Sequence, residues 1–398
     1  MVLSASVAAN DNDAEPPAGR SAPPAASDRA ASSTPVHFAG GRSDSGWIPF
    51  EYFKGSQIHL PITINGHPTI AQLDSGATSH TVDTALAAKI GLRSERMISG
   101  QGFGGSEAMS IAHVTITAGA MTITNSEAVV FDHETISKAM GHSSYVTLGG
   151  DAFRHAVVDI DFKHRRLAFR DPSRFVAPAH AQELPLTGRD IRSLPVTVDG
   201  RPVRMQFDLG NGRAALLYQK YWKAAYPGNR RTATTYSGGS GGFNVQKFMM
   251  LDEVRVGTTV FRDVPTLLQE GKGDLGGDQF DGNIGIGLLG RFHLIVDFPR
   301  NRAFFAPPID RTTPFQVNHT GLTLFREGDT MVVKHIAPGS PAAGTGLKVD
   351  DRITAVEEGR ARRRIDLTSA WTMLPVDRTL YLNLADGREV AMVTARYF

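Results

Sequence analysis

Residues 60–74 read LPITINGHPTIAQLD, and residues 194–208 read LPVTVDGRPVRMQFD. The second stretch follows the first by 134 residues without a gap. Seven of the fifteen positions are identical, where ordinary residue usage gives roughly one by chance. The chain therefore carries a duplicated unit. Each copy describes the same object. Alternating apolar residues (Leu60, Ile62, Ile64; Leu194, Val196, Val198) predict a half-buried strand. Asn65-Gly66 and Asp199-Gly200 supply the positive-φ pair of a tight hairpin turn. A second strand then delivers an aspartate to a loop. Asp74 is followed by Ser75-Gly76-Ala77-Thr78, and Asp208 by Leu209-Gly210-Asn211. Glycine at that point lets the backbone fold back sharply.

The duplication extends beyond the hairpins. Residues 82–90 have helical spacing and stop at Gly91, and residues 217–225 do the same before Pro227-Gly228. Glycine-rich loops follow at residues 100–105 and 238–242. Gly149 and Gly285, Asp161 and Asp297, Arg166 and Arg302, and Phe169 and Phe305 are each separated by 136 residues, so whole lobes are repeated.

Composition sets the outer limits. A chain of 398 residues with 41% apolar and 21% charged residues can build two or three domains with proper cores. The formal charge of +2 gives no reason to expect a nucleic-acid partner, and Arg360, Arg362, Arg363 and Arg364 read as a solvated loop. No stretch is apolar enough for a transmembrane segment. The absence of cysteine excludes disulfides, thiol nucleophiles and cysteine-ligated metals, and fits either redox compartment. Residues 1–46, rich in Ala, Pro, Ser, Asp and Gly, are expected to be a disordered arm, with order beginning near Trp47. Its first residues, VLSASVAAN, look like the tail of a secretory signal, which leaves a periplasmic or secreted location open.

Two lobes that each present one aspartate can bring both carboxylates together across a pseudo-two-fold axis. Two carboxylates in contact cannot both ionise cheaply, so they share a proton, and one is a base while the other is an acid. This pair can hydrolyse a peptide bond with water, without cofactor or metal. Other motifs compete less well. Residues 100–105 and 285–290 both fit G-x-G-x-x-G, yet neither opens a long helix in a βαβ unit. Ser240 in G-x-S-x-G would make a serine hydrolase, but a strand-like run follows where a helix is needed. Asp132-His133-Glu134 reads as an exposed polar stretch, and the histidines show no metal-ligand spacing.

With these residues in view, the chain resembles the aspartic proteases, specifically the retropepsin-like branch in which bacterial proteins carry two such lobes and a PDZ domain. The resemblance covers roughly residues 47–306 and 320–398. In lobe one it rests on Asp74-Ser75-Gly76-Ala77-Thr78, Lys89-Ile90-Gly91-Leu92 and Thr147-Leu148-Gly149. It implies that Asp74 and Asp208 are catalytic and that Ser75 joins a hydrogen-bond grip between their loops. It also implies that the glycine-rich loops are flaps, with Gly102, Phe103, Gly104, Tyr236, Gly238 and Gly239 near a bound peptide. Leu209 departs from the pattern, standing where a hydroxyl is usual, and Asn211 is placed to bond near Asp208. Ala77 cannot donate a hydroxyl hydrogen bond to Asp74, which implies a dyad less acidic than that of pepsin.

At the C-terminus, Ser340-Pro341-Ala342-Ala343, Gly346-Leu347 and Asp351-Arg352-Ile353 resemble a PDZ domain, with Asp350 replacing a usual glycine. That resemblance implies peptide addition beside Gly321-Leu322-Thr323-Leu324, whose free amides would receive a C-terminal carboxylate, with a helix over residues 367–374 walling the groove. The expected fold is mainly β: lobes over residues 47–178 and 179–313, then a PDZ domain over 314–398. The expected function is an aspartic endopeptidase acting on unfolded polypeptide. The alternative is a decayed, peptide-binding adaptor.

Overall fold

The computed structural model describes residues 36–53, 57–102, 105–134, 137, 143–228, 230–239, 242–270, 279–309 and 313–398. The molecule is mainly β, and two of its β units correspond to the duplicated lobes. Both hairpin turns form as their sequences dictate. Asn65 and Gly66 have φ of 49° and 81°, and Asp199 and Gly200 have φ of 46° and 79°. Gln57–Ile64 pairs with His67–Leu73, and Ser193–Val198 pairs with Arg201–Asp208.

A parallel crossing then recurs in each lobe. Val146–Leu148 lies beside His67–Leu73, with Leu148 opposite Leu73. Gly282–Gly285 lies beside Arg201–Asp208, with Gly285 opposite Asp208. This crossing ends each aspartate-bearing strand at the same level. The helices also match: Thr84–Lys89, N-capped by the Asp83 carboxylate, and Gln219–Ala225. Even an ion pair is repeated, since Asp161 accepts from Arg166 Nε at 3.1 Å and Asp297 from Arg302 Nε at 2.9 Å.

A six-stranded sheet joins the lobes. At its centre Val157–Asp161 runs antiparallel to His293–Asp297, and Asp159 faces Ile295, its own counterpart in the repeat. The local two-fold axis therefore passes through this pair. Phe298 packs on Phe153 (5.2 Å) and Phe207 (6.2 Å), and one continuous apolar core serves both lobes. Gln182–Pro185, at the start of lobe two, is an outer strand of the same sheet.

Leu322–Glu327, Thr330–Ile336, Arg352–Glu358, Thr379–Leu384 and Glu389–Val393 form a separate C-terminal sheet, with Arg363–Ile365 attached to Arg352–Glu358. It has its own core around Trp371, Val333 and Leu382. Among the described residues no helix is long and apolar enough to cross a membrane.

Two expectations need correction. Order begins before Trp47: Val36–Phe38 pairs with Met121–Phe131, and the Ser45 hydroxyl accepts from Phe169 N at 2.9 Å. Val36 and Phe38, two residues apart, place their side chains against the lobe-one core. Residues 1–35 lie outside the described set. The expected helix over 367–374 is reduced to a single 3-10 turn, Trp371–Met373. Asp366 captures Thr368 N at 2.8 Å and its carbonyl takes the Ser369 hydroxyl, so local side-chain bonds replace the helical ladder up to Pro375.

Candidate active site

The two aspartate loops meet at the junction of the lobes. Asp74 is 1% exposed and Asp208 fully buried, and their carboxyl groups hydrogen-bond each other. Each is held in the same way. Asp74 Oδ1 accepts from Gly76 N (2.7 Å) and Ala77 N (3.1 Å); Asp208 Oδ1 accepts from Gly210 N (2.8 Å) and Asn211 N (3.1 Å). Each loop's glycine lies under the opposite carboxylate. A Cβ on Gly76 would stand 2.6 Å from Asp208 Cγ, and one on Gly210 would stand 2.2 Å from Asp74 Cγ. Only a bare backbone permits this approach. Burial, and then the neighbouring Asp208 charge, hold the Asp74 carboxyl well above the usual carboxylate range.

The grip between the loops is one-sided. Ser75 Oγ accepts from Leu209 N (2.9 Å) and donates to the Phe207 carbonyl (3.1 Å), whereas Leu209 offers no hydroxyl in return and lies fully buried in the shared core. Ser75→Ala orphans a buried N–H and a buried carbonyl. We expect a loss of about 1–3 kcal/mol, read as a lowered denaturant midpoint with an unchanged m-value.

Two residues that sequence reasoning did not single out support the site. Asn283 Nδ2 donates to Asp208 Oδ2 at 2.6 Å, and Asn283 Oδ1 accepts from Asn211 Nδ2 at 2.7 Å. Asn211 thus reaches Asp208 by its backbone directly and by its side chain only through Asn283. The available signal was a polar residue inside NIGIG, at the position Thr147 fills in lobe one. His80, fully buried, accepts from Gly149 N at 3.0 Å through Nδ1 and anchors the matching element of lobe one. Burial pushes its pKa down to about 4, which keeps the ring neutral.

Thr78 lies at the edge of the loop, where its carbonyl accepts from Arg154 at 3.1 Å. Both glycine-rich loops are hairpin ends: Gly102 pairs with Gly105, and Gly239 with Gly242. Gly238 pairs with Phe243. Phe103 and Gly104, like Ser240, lie outside the described residues. A strand, Gly242–Val256, follows Ser240 in place of the helix a serine elbow requires. The ring of Tyr236, expected beside substrate, stacks on Phe243 and packs on Phe325 of the C-terminal domain, both at 5.9 Å.

Further expectations are corrected here. Gly321 N and Leu322 N are not free, since they donate to Asn318 Oδ1 (2.9 Å) and Thr320 Oγ1 (3.2 Å). The chain segment before them already fills the expected carboxylate nest. Thr323 Oγ1 accepts from Tyr236 N at 3.2 Å, and Leu324 pairs with Val333. His133, read as exposed, is 2% exposed: its N–H donates to the Asp83 carboxylate and Nδ1 bonds the Ser144 carbonyl. The helix cap draws it inward.

The aspartyl protease family matches the chain twice, over residues 60–152 and 194–291, once in each lobe. None of the curated proteins compared with the chain matches it. The double match supports an aspartic protease, a peptidase acting on peptide.

Proposed function

We propose that the protein is an aspartic endopeptidase in which Asp74 and Asp208 activate a water between them. The observation that carries this reading is the contact of two buried carboxyl groups, each backed by the same pair of backbone amides. The matched donor sets favour a competent second lobe over a decayed one, despite Leu209.

One hydrogen bond supports a placement of the shared proton. An amide N–H from Asn283 suits an ionised Asp208 oxygen, which in this reading leaves the shared proton on Asp74. Asp208 then takes a proton from the attacking water, and Asp74 donates a hydrogen bond to the scissile carbonyl oxygen. The hairpins ending at Gly102 and Gly239 cover the substrate, in a retropepsin-like manner. The C-terminal sheet acts as a PDZ-like module whose edge strand, Leu322–Glu327, holds the second hairpin and lies beside the path of the polypeptide.

Hydrolysis of an unfolded polypeptide from about pH 3 to about pH 8 tests the reading. Activity is expected to fall on the alkaline side as pH rises through the raised Asp74 value, where the shared proton is lost. Asn283→Leu is expected to lower kcat by about tenfold and to move the acidic limb to higher pH, because the ionised member loses a donor. Bound but uncut polypeptide at every pH would favour the adaptor.

A further inference from the structure

A cleft of about 520 Å³ lies between lobe two and the C-terminal domain. One wall is the exit of the Asp208 loop, Gly212 and Arg213. Another is the hairpin strand through Thr235 and Tyr236, and the far wall is the start of Leu322–Glu327. The exit of the Asp208 loop and the covering hairpin both contribute to it, while the two aspartates themselves do not line it.

Its chemistry is asymmetric. Arg213 and Arg291 line the cleft, and no aspartate or glutamate does among the described residues. Arg291 is engaged, with its guanidinium 3.8 Å from the centre of the Phe315 ring and Nη1 donating to Thr313 O at 2.8 Å. Arg213 is not paired with any carboxylate among the described residues. Nη2 donates to the Ser237 hydroxyl at 3.1 Å, and Nε, shielded from solvent, has no hydrogen-bond partner. Burial alone brings its pKa down to about 10, so it remains a cation at neutral pH. A guanidinium withdrawn from water without a counter-charge is costly, and its planar fork matches a carboxylate. No aspartate or glutamate side chain among the described residues neutralises Arg213.

Resting on the peptidase reading, we infer that this cleft is a specificity subsite in which Arg213 binds the carboxylate of an aspartate or glutamate side chain on the polypeptide substrate. A carboxylate at a chain end has the same chemistry, so the test separates the two.

Short fluorescent peptides, amidated at the C-terminus, carry one glutamate at each position in turn against an all-glutamine parent. They are titrated into the full chain bearing Asp74→Asn, so that binding is read without cleavage. At least one glutamate position is expected to bind about tenfold tighter than its glutamine counterpart. Arg213→Gln should bring that ratio close to one. Should Arg213→Gln melt at the assay temperature, Arg213→Lys decides, because it keeps the charge and loses the fork: the preference should shrink but persist. A preference that survives Arg213→Gln, or is undiminished in Arg213→Lys, overturns the assignment. So does the absence of any glutamate preference, or tighter binding seen only with free C-termini. An Arg213-dependent preference in a parent chain that cuts nothing would retain the site and remove the peptidase reading; cleavage without that preference would do the reverse.

Discussion

Asp74→Asn and Asp208→Asn are each expected to lower cleavage of unfolded polypeptide by at least about 10³-fold, because each removes one half of an acid–base pair. The size of the effect follows from burial. Both carboxyls are withdrawn from solvent and hydrogen-bond each other, so no bulk water stands in for the missing proton acceptor. Cleavage that survives Asp208→Asn would show Asp74 acting without it. Stability provides an independent reading of Asp74. Its proton affinity is raised in the fold, so its contribution is fully present below the unfolded carboxyl value of 3.8 and is lost as pH climbs through the raised folded value. Asparagine has no such loss. The melting temperature of Asp74→Asn relative to the parent should therefore rise from acidic to neutral pH. A constant difference would show that Asp74 does not exchange a proton across that window.

Gly210→Ala and Gly76→Ala are expected to abolish measurable cleavage, with losses beyond about 10²-fold, the scale attached to displacing a reacting group by about an ångström. The new methyl would stand 2.2 Å from Asp74 Cγ in the first case and 2.6 Å from Asp208 Cγ in the second, so the opposing carboxylate must leave its place. Overpacking should also cost about 1–3 kcal/mol in denaturant unfolding. Gly66→Ala is the useful control. Unlike those two, Gly66 is a glycine of positive φ, its added carbon meets nothing within 4 Å, and its change to alanine should lower stability while sparing kcat. Full activity in Gly210→Ala would mean that the loops do not approach as described.

The aspartate loops were legible because their determinants are local and written twice. An alternating strand, a turn pair that tolerates positive φ and a terminal aspartate lie within fifteen residues. Asn283 was hidden because it reaches Asp208 from 75 residues away and has threonine as its counterpart in lobe one. The early strand Val36–Phe38 was obscured by the surrounding Ala, Pro and Gly, which composition reads as disorder. His133 turned inward because the Asp83 carboxylate that caps a helix also bonds its backbone, a tertiary choice that neighbouring acidic residues concealed. The PDZ resemblance implied a helix over residues 367–374, but the side-chain bonds of Asp366 and the stop at Pro375 prevailed.

The antiparallel contact of Val157–Asp161 with His293–Asp297 has a consequence for ancestry as well as for mechanics. Because Asp159 meets its own repeat partner there, half the gene alone would make a strand whose natural mate is another copy of itself. Fusion turns that encounter between molecules into a fixed seam within one. It also frees each half to drift, so that Ser75 and Leu209, or Thr147 and Asn283, need no longer be twins.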